Sequence, residues 1–134
     1  MSDDGVFELA TIPVHLGLGA TAVPQEPFTG EPSWYERYDE RTRADGIEGR
    51  LVSWHTFTEP WDSWEVHPDG EELVVCVDGV ITLVQEVDGG IRTVTLRRGD
   101  AVVNPPGVWH TADVEGHATA LFITAGSGTR GRPR

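Results

Sequence analysis

The sequence predicts an all-β domain whose short strands close into a barrel or a sandwich. From about residue 49 to residue 124 the chain falls into some eight runs of β-branched, aromatic and alternating apolar residues, each of ordinary strand length. Turn-forming residues separate the runs, at Asp78-Gly79, Val87-Asp88-Gly89-Gly90, Arg98-Gly99 and Pro105-Pro106-Gly107, where glycine frees the backbone and proline presets it. A length of 134 residues fits one domain able to bury a sizeable core without staples. Helical periodicity is nearly absent from this stretch, which sets helix-rich folds aside.

Taken in order, residues 1–48 are rich in glycine and proline and show little periodicity, so they read as an N-terminal arm. Within it, Ser33-Trp34-Tyr35-Glu36 has the form of a capping box, with Ser33 as N-cap and Glu36 three residues on. One short helix over about 34–44 is expected, stopped by Asp45-Gly46. Trp34, Tyr35 and Tyr38 form its apolar stripe, and it lies over one end of the barrel or in a dimer contact. Residues 50–57 form a strand with Leu51, Ser53, His55 and Phe57 on one face, and 64–67 form a second. Residues 72–77 and 80–86 are expected to pair through Asp78-Gly79 as a hairpin. Strands over 91–96, 100–103, 109–113 and 118–124 follow. The Gly/Arg-rich tail, 126–134, is expected to be a mobile basic terminus. The expected division is thus arm and helix at 1–48, barrel at 49–125 and tail at 126–134, one domain overall.

Ten basic residues against 22 acidic ones give a net charge of −12, a field that repels phosphate backbones and anionic lipid. Nucleic-acid and membrane partners are therefore not expected. No run approaches the roughly 20 apolar residues of a spanning helix. The start, Met1-Ser2-Asp3-Asp4, has neither a basic nor an apolar leader segment, so a cytoplasmic location is expected. Cys76, the single cysteine, cannot form an internal disulfide and reads as a buried small hydrophobe in an apolar run.

The chemistry-bearing residues sit in two stretches. Residues 65–79 read Glu-Val-His-Pro-Asp-Gly-Glu-Glu-Leu-Val-Val-Cys-Val-Asp-Gly, and residues 99–110 read Gly-Asp-Ala-Val-Val-Asn-Pro-Pro-Gly-Val-Trp-His. Glu65 and His67 are two apart on a strand, so they share a face. Glu72 opens the next strand after the Pro68-Asp69-Gly70 turn, and His110 follows a rigid proline turn. Two imidazoles and one or two carboxylates converging from separate strands make a first shell for Fe, Mn, Zn, Ni or Cu. His55, Asn104 and Trp109 are candidates for contact with a bound molecule, beside plainer readings as a core histidine, a turn former and a packing ring. Trp61 and Trp64 read as packing residues. His15 and His117 give no reason to be ligands.

These stretches resemble the two motifs of the cupin superfamily. His67, Glu72 and Gly79 match the second histidine, the glutamate and the closing glycine of the first motif, and Gly99, Pro105, Gly107 and His110 match the second in full. The resemblance spans about half the chain and implies a double-stranded β-helix, or jelly-roll barrel. It also implies one divalent metal per chain on His67, Glu72 and His110. Two positions depart from the pattern: Glu65 replaces the first histidine, and Val114 stands where the family often has asparagine.

Glu65 either replaces the lost imidazole, giving a four-residue set of Glu65, His67, Glu72 and His110, or marks a site that no longer holds metal. In the second case Glu65 and Glu72 face one another, one keeps its proton, and either serves as a catalytic base. Two functions follow. One is a metal-dependent enzyme, such as a dioxygenase or isomerase, acting on a small polar organic molecule; the other is a metal-free small-molecule-binding module. The long arm, as a swapped segment, suggests a homodimer.

Overall fold

Nine strands and one α-helix form among the residues described by the computed structural model, 4–125 and 128–134. A hairpin of β1 (Val14–Gly17) and β2 (Thr21–Pro24) leads the chain. α1 (Pro32–Thr42) and 3-10 turns across Arg43–Glu48 follow. The barrel then runs through β3 (Arg50–Phe57), β4 (Ser63–Val66), β5 (Glu72–Val87), β6 (Gly90–Arg97), β7 (Ala101–Asn104), β8 (His110–Ala125) and β9 (Arg130–Pro133). All pairings are antiparallel, in the order β2-β1-β3-β8-β4-β9, with β5 joining β8 to β6 and β7. Among the described residues no helix is long and apolar enough to cross a membrane.

The long strands β5 and β8, 16 residues each, run beside one another along almost their whole length and close the barrel. Their inward residues build the core: Val74, Cys76, Ile81 and Leu83 from β5, and Ala112, Ala118, Ala120 and Phe122 from β8. Cys76 is fully buried, as expected.

The hairpin expected at Asp78-Gly79 does not form. β5 continues through it, and the pairing with β8 shifts register there through bulges. On β5 the buried positions are 72, 74 and 76 before the bulge, and 81, 83 and 85 after it. An odd-numbered step in a period of two would turn the strand inside out; the extra residue of a bulge restores the inward face. Gly79 has a φ of 74°, and a Cβ there would sit 2.2 Å from the His117 carbonyl oxygen. Glycine is therefore required where the strand bends from its pairing with β7 to its pairing with β6. The runs expected at 109–113 and 118–124 are likewise one strand, bulged at exposed Glu115-Gly116-His117. The turn expected at Val87–Gly90 does form, with positive φ at both Asp88 and Gly89.

In the arm, the helix starts at Pro32, with Glu31 at the N-cap and no side-chain cap. The capping box of Ser33 and Glu36 is not used, because the fixed φ of proline already suits the first helical position. Trp34 and Tyr38 are buried and stack at 5.7 Å against β3 residue Leu51, while Tyr35 is partly exposed. β1 pairs with the chain's own β3. His15 joins the two layers, its Nδ1 2.7 Å from the Tyr38 hydroxyl and its Nε2 2.6 Å from Asp45. The tail differs most from expectation. Residues 130–133 are β9, paired along β4, because Arg132 lies between the Trp64 and Trp109 rings and pairs with Glu86, while Arg134 pairs with Asp113. Residues 126 and 127 of the expected tail lie outside the described residues.

Candidate metal centre

Three strand ends meet at one end of the barrel. β4 carries Glu65, and His67 follows one residue beyond the strand; Glu72 begins β5 and His110 begins β8. Glu65 and His110 are direct cross-strand partners, so their side chains leave the sheet on the same side. The two turns expected to aim the site are tied together, since Gly107 N–H donates to the His67 carbonyl at 3.2 Å.

Glu65, His67 and His110 each offer a ligand atom within 4.8 Å of the other two. Glu65 Oε2 is 4.0 Å from Nε2 of each histidine, and the imidazole centroids are 5.1 Å apart. Glu72 faces the same point, its oxygens 3.1 Å from His67 Nε2 and 3.3 Å from His110 Nε2. The Glu72 carboxylate also accepts from Asn104 Nδ2 at 2.9 Å and from Thr124 Oγ1 at 2.7 Å, and Asn104 is steadied by Gln85 at 2.6 Å. His67 and His110 are almost wholly buried, yet neither Nε2 has a partner in hydrogen-bonding geometry. A buried polar atom without a good hydrogen bond is costly, and these two face the same carboxylates, a place for a shared partner. Donors of a metal bound at about 2.0–2.2 Å lie roughly 3–4 Å apart, which the spacing here fits. The residues present therefore suit a divalent ion.

Electrostatics separates the two carboxyls. Burial raises Glu65 and the charge of Glu72 raises it further, against the pull of the histidines; the net shift is upward. Burial would raise Glu72 too, but His110 and His67 more than offset it and hold it well below the usual carboxylate range. His67 is pushed down by burial and lifted further by Glu72 and Glu65, for a net rise. A negative pocket that attracts either a proton or a cation is the result.

The site opens into a cavity of about 820 Å³. Of the residues expected to touch a bound molecule, His55 lines it, among the rings of Phe28, Phe57 and Phe122. Burial holds the His55 imidazole below its ordinary range. Asn104 does not line the cavity; it is spent on Glu72 and Gln85. Nor does Trp109, whose ring is covered by Arg132 at 4.4 Å. Trp61, read from the sequence as packing, is part of the wall, and its buried Nε1 has no partner. Thr129 was not foreseen: its hydroxyl lies 2.9 Å from His67 Nδ1. No local signal marks it, since the contact comes from the chain's return along β4. His15 and His117 lie elsewhere, paired with Asp45 and Asp78.

No curated protein matches the chain. Among solved structures, a mutant oxalate decarboxylase from Bacillus subtilis is similar at 15% identity with a TM-score of 0.53, over 71% of this chain and 26% of that one. Protein NMB1881 from Neisseria meningitidis shares 21% identity at a TM-score of 0.48, over 56% and 72%. Hydroquinone 1,2-dioxygenase from Sphingomonas sp. TTNP3, with 4-hydroxybenzoate bound, shares 19% at 0.48, over 56% and 58%. The family model of the cupin domain matches residues 54–126, the stretch that holds all four site residues, and the chain belongs to the cupin family.

Proposed function

We propose that this protein is a metal-dependent cupin that binds one divalent ion (Fe, Mn, Ni or Zn) through Glu65, His67, Glu72 and His110, and acts on a small organic molecule in the adjoining cavity. The observation that carries this reading is the convergence of the buried Nε2 atoms of His67 and His110, neither in hydrogen-bonding geometry, on the carboxylates of Glu72 and Glu65. Two imidazoles with two carboxylates suit a hard or borderline ion and neutralise its charge. When bound, such an ion supplies Lewis acidity to an oxygen of the ligand.

The chain's own residues do the rest. Asn104 and Thr124 orient Glu72, and Thr129 holds His67 so that Nε2 faces the centre. Glu65, whose side chain is 40% exposed, is the member nearest to solvent. Burial and the charge of Glu72 raise its carboxyl above the ordinary range. In this reading the protein is an enzyme of dioxygenase or isomerase type. Pairing of two chains through the N-terminal arm belongs to the same proposal, with sedimentation at micromolar concentration as its check.

Metal loading of wild type and His110→Ala, followed beside circular dichroism, tests the reading. Loading lost from a folded variant is the expected result. Wild type that takes up no ion would leave a metal-free binding module instead.

A further inference from the structure

The cavity wall is unusual in its charge. Five carboxylates line it, Asp39, Glu59, Asp62, Glu65 and Glu72. All ten basic residues of the chain are arginines, all lie among the described residues, and none lines the cavity. Four of the arginines are paired elsewhere: Arg37 and Arg41 with Glu26, Arg132 with Glu86 and Arg134 with Asp113. Burial of His55 among the aromatic rings lowers its pKa and so disfavours its charged form.

The two inner carboxylates, Glu65 and Glu72, are matched by the two charges of a divalent ion. The three outer ones, Asp39, Glu59 and Asp62, are exposed at the rim, and among the described residues none is in an ion pair. Arg43 lies close enough to draw the Asp39 carboxyl down, though burial wins and the net shift is upward. The rim thus stays negative with the centre filled, and a cleft walled by apolar rings focuses that field. Behind the rim, Phe57, Trp61 and Phe122 pack at ring separations of 5.5–6.2 Å. The faces of such rings attract a cation and are indifferent to an anion. Apart from the metal ion itself, the wall offers a carboxylate no arginine or lysine to pair with.

We infer that the cavity selects an organic cation, an amine or quaternary ammonium joined to a flat apolar body, and discriminates against carboxylates. This rests on the cavity being the ligand site of the proposed metal centre. Entry is steered by Asp39, Glu59 and Asp62, and the apolar body stacks among Phe57, Trp61 and Phe122.

Calorimetric titration of the full chain, with and without Mn2+, tests this with three probes of similar size: benzyltrimethylammonium, 2-phenylethanol and 3-phenylpropanoate. The quaternary ammonium has no lone pair to bind a metal. It is expected to bind at least about tenfold more tightly than the carboxylate, as a few rim charges at short range allow. That advantage is expected to shrink in the Glu59→Gln/Asp62→Asn variant and at high salt. Equal or tighter binding of 3-phenylpropanoate, binding of no probe at millimolar concentration, or an advantage unchanged in the double variant would overturn the inference. Titration with Mn2+ alone reads the metal centre separately. An ion bound without cation preference refutes only this inference, and cation preference without ion binding refutes only the metal reading.

Discussion

Thr129 and His67, 62 positions apart in the chain, meet with Thr129 Oγ1 2.9 Å from His67 Nδ1. With a metal ion on Nε2, Nδ1 would carry the proton and donate to the threonine oxygen. Such a contact fixes tautomer and ring orientation in metal-binding histidines. The residue just before β9 therefore touches the site: as β9 returns along β4 it brings the Thr129 hydroxyl to His67.

Thr129→Val is expected to lower metal affinity by about 10–100-fold, the usual cost of removing such a partner, while Thr129→Ser keeps it. Competition titration against a chelating dye measures this. Equal affinity in wild type and Thr129→Val would deny the positioning role.

Gly79 offers a test of the fold. Gly79→Ala forces a left-handed φ on alanine and drives its Cβ into the His117 carbonyl, at a combined cost of about 2–5 kcal/mol. Gly89 has nearly the same φ, 75°, but nothing within 4 Å of an added Cβ, so Gly89→Ala meets only the conformational part, about 1–2 kcal/mol. Urea denaturation of both variants should separate the two contributions. Similar losses would mean that the bulge tolerates a side chain.

Much of this architecture is legible in the residues. The alternation of Leu51, Ser53, His55 and Phe57 predicts an inward face, and all four line the cavity. The Pro68–Gly70 and Pro105–Gly107 turns predict convergence of His67, Glu72 and His110 because rigid turns leave little freedom in where the next residue points. Asp78-Gly79 misleads for a physical reason: the positive φ that a tight hairpin requires is the same one that a bulge requires. Only the length of partner strand available, all of β8, decides between them. β1 and β2 were missed because their pattern is weak and their pairing with β3 is long-range. β9 was missed because glycine and arginine carry little strand propensity; its placement comes from the rings of Trp64 and Trp109. Trp109 is a pocket candidate by its nearness to His110, and Asn104 by its place before the Pro105-Pro106 turn. Period two sends neighbours to opposite faces, and Asn104 ends β7, which pairs with β5 at Glu72.

His55 makes stability depend on pH. Its folded-state value lies below the ordinary 6.5, so the unfolded chain takes up the proton more readily. The folded state is unpenalised above pH 6.5 and loses stability as pH falls below it. Wild type is thus expected to lose more stability than His55→Gln between about pH 7 and pH 5, seen as a larger drop in denaturation midpoint. Parallel midpoints across that window would show that the imidazole protonates freely in the fold.

The central claim is that Glu65 stands in for a histidine in a working metal site. The most direct measurement is the number of Fe, Mn, Ni or Zn ions per chain, by elemental analysis, in tag-free wild type and Glu65→Ala after incubation with each ion. One ion per wild-type chain, with most of it lost in the variant, is the predicted result. A wild type that holds none, or a Glu65→Ala variant that loads as fully as wild type, would contradict it.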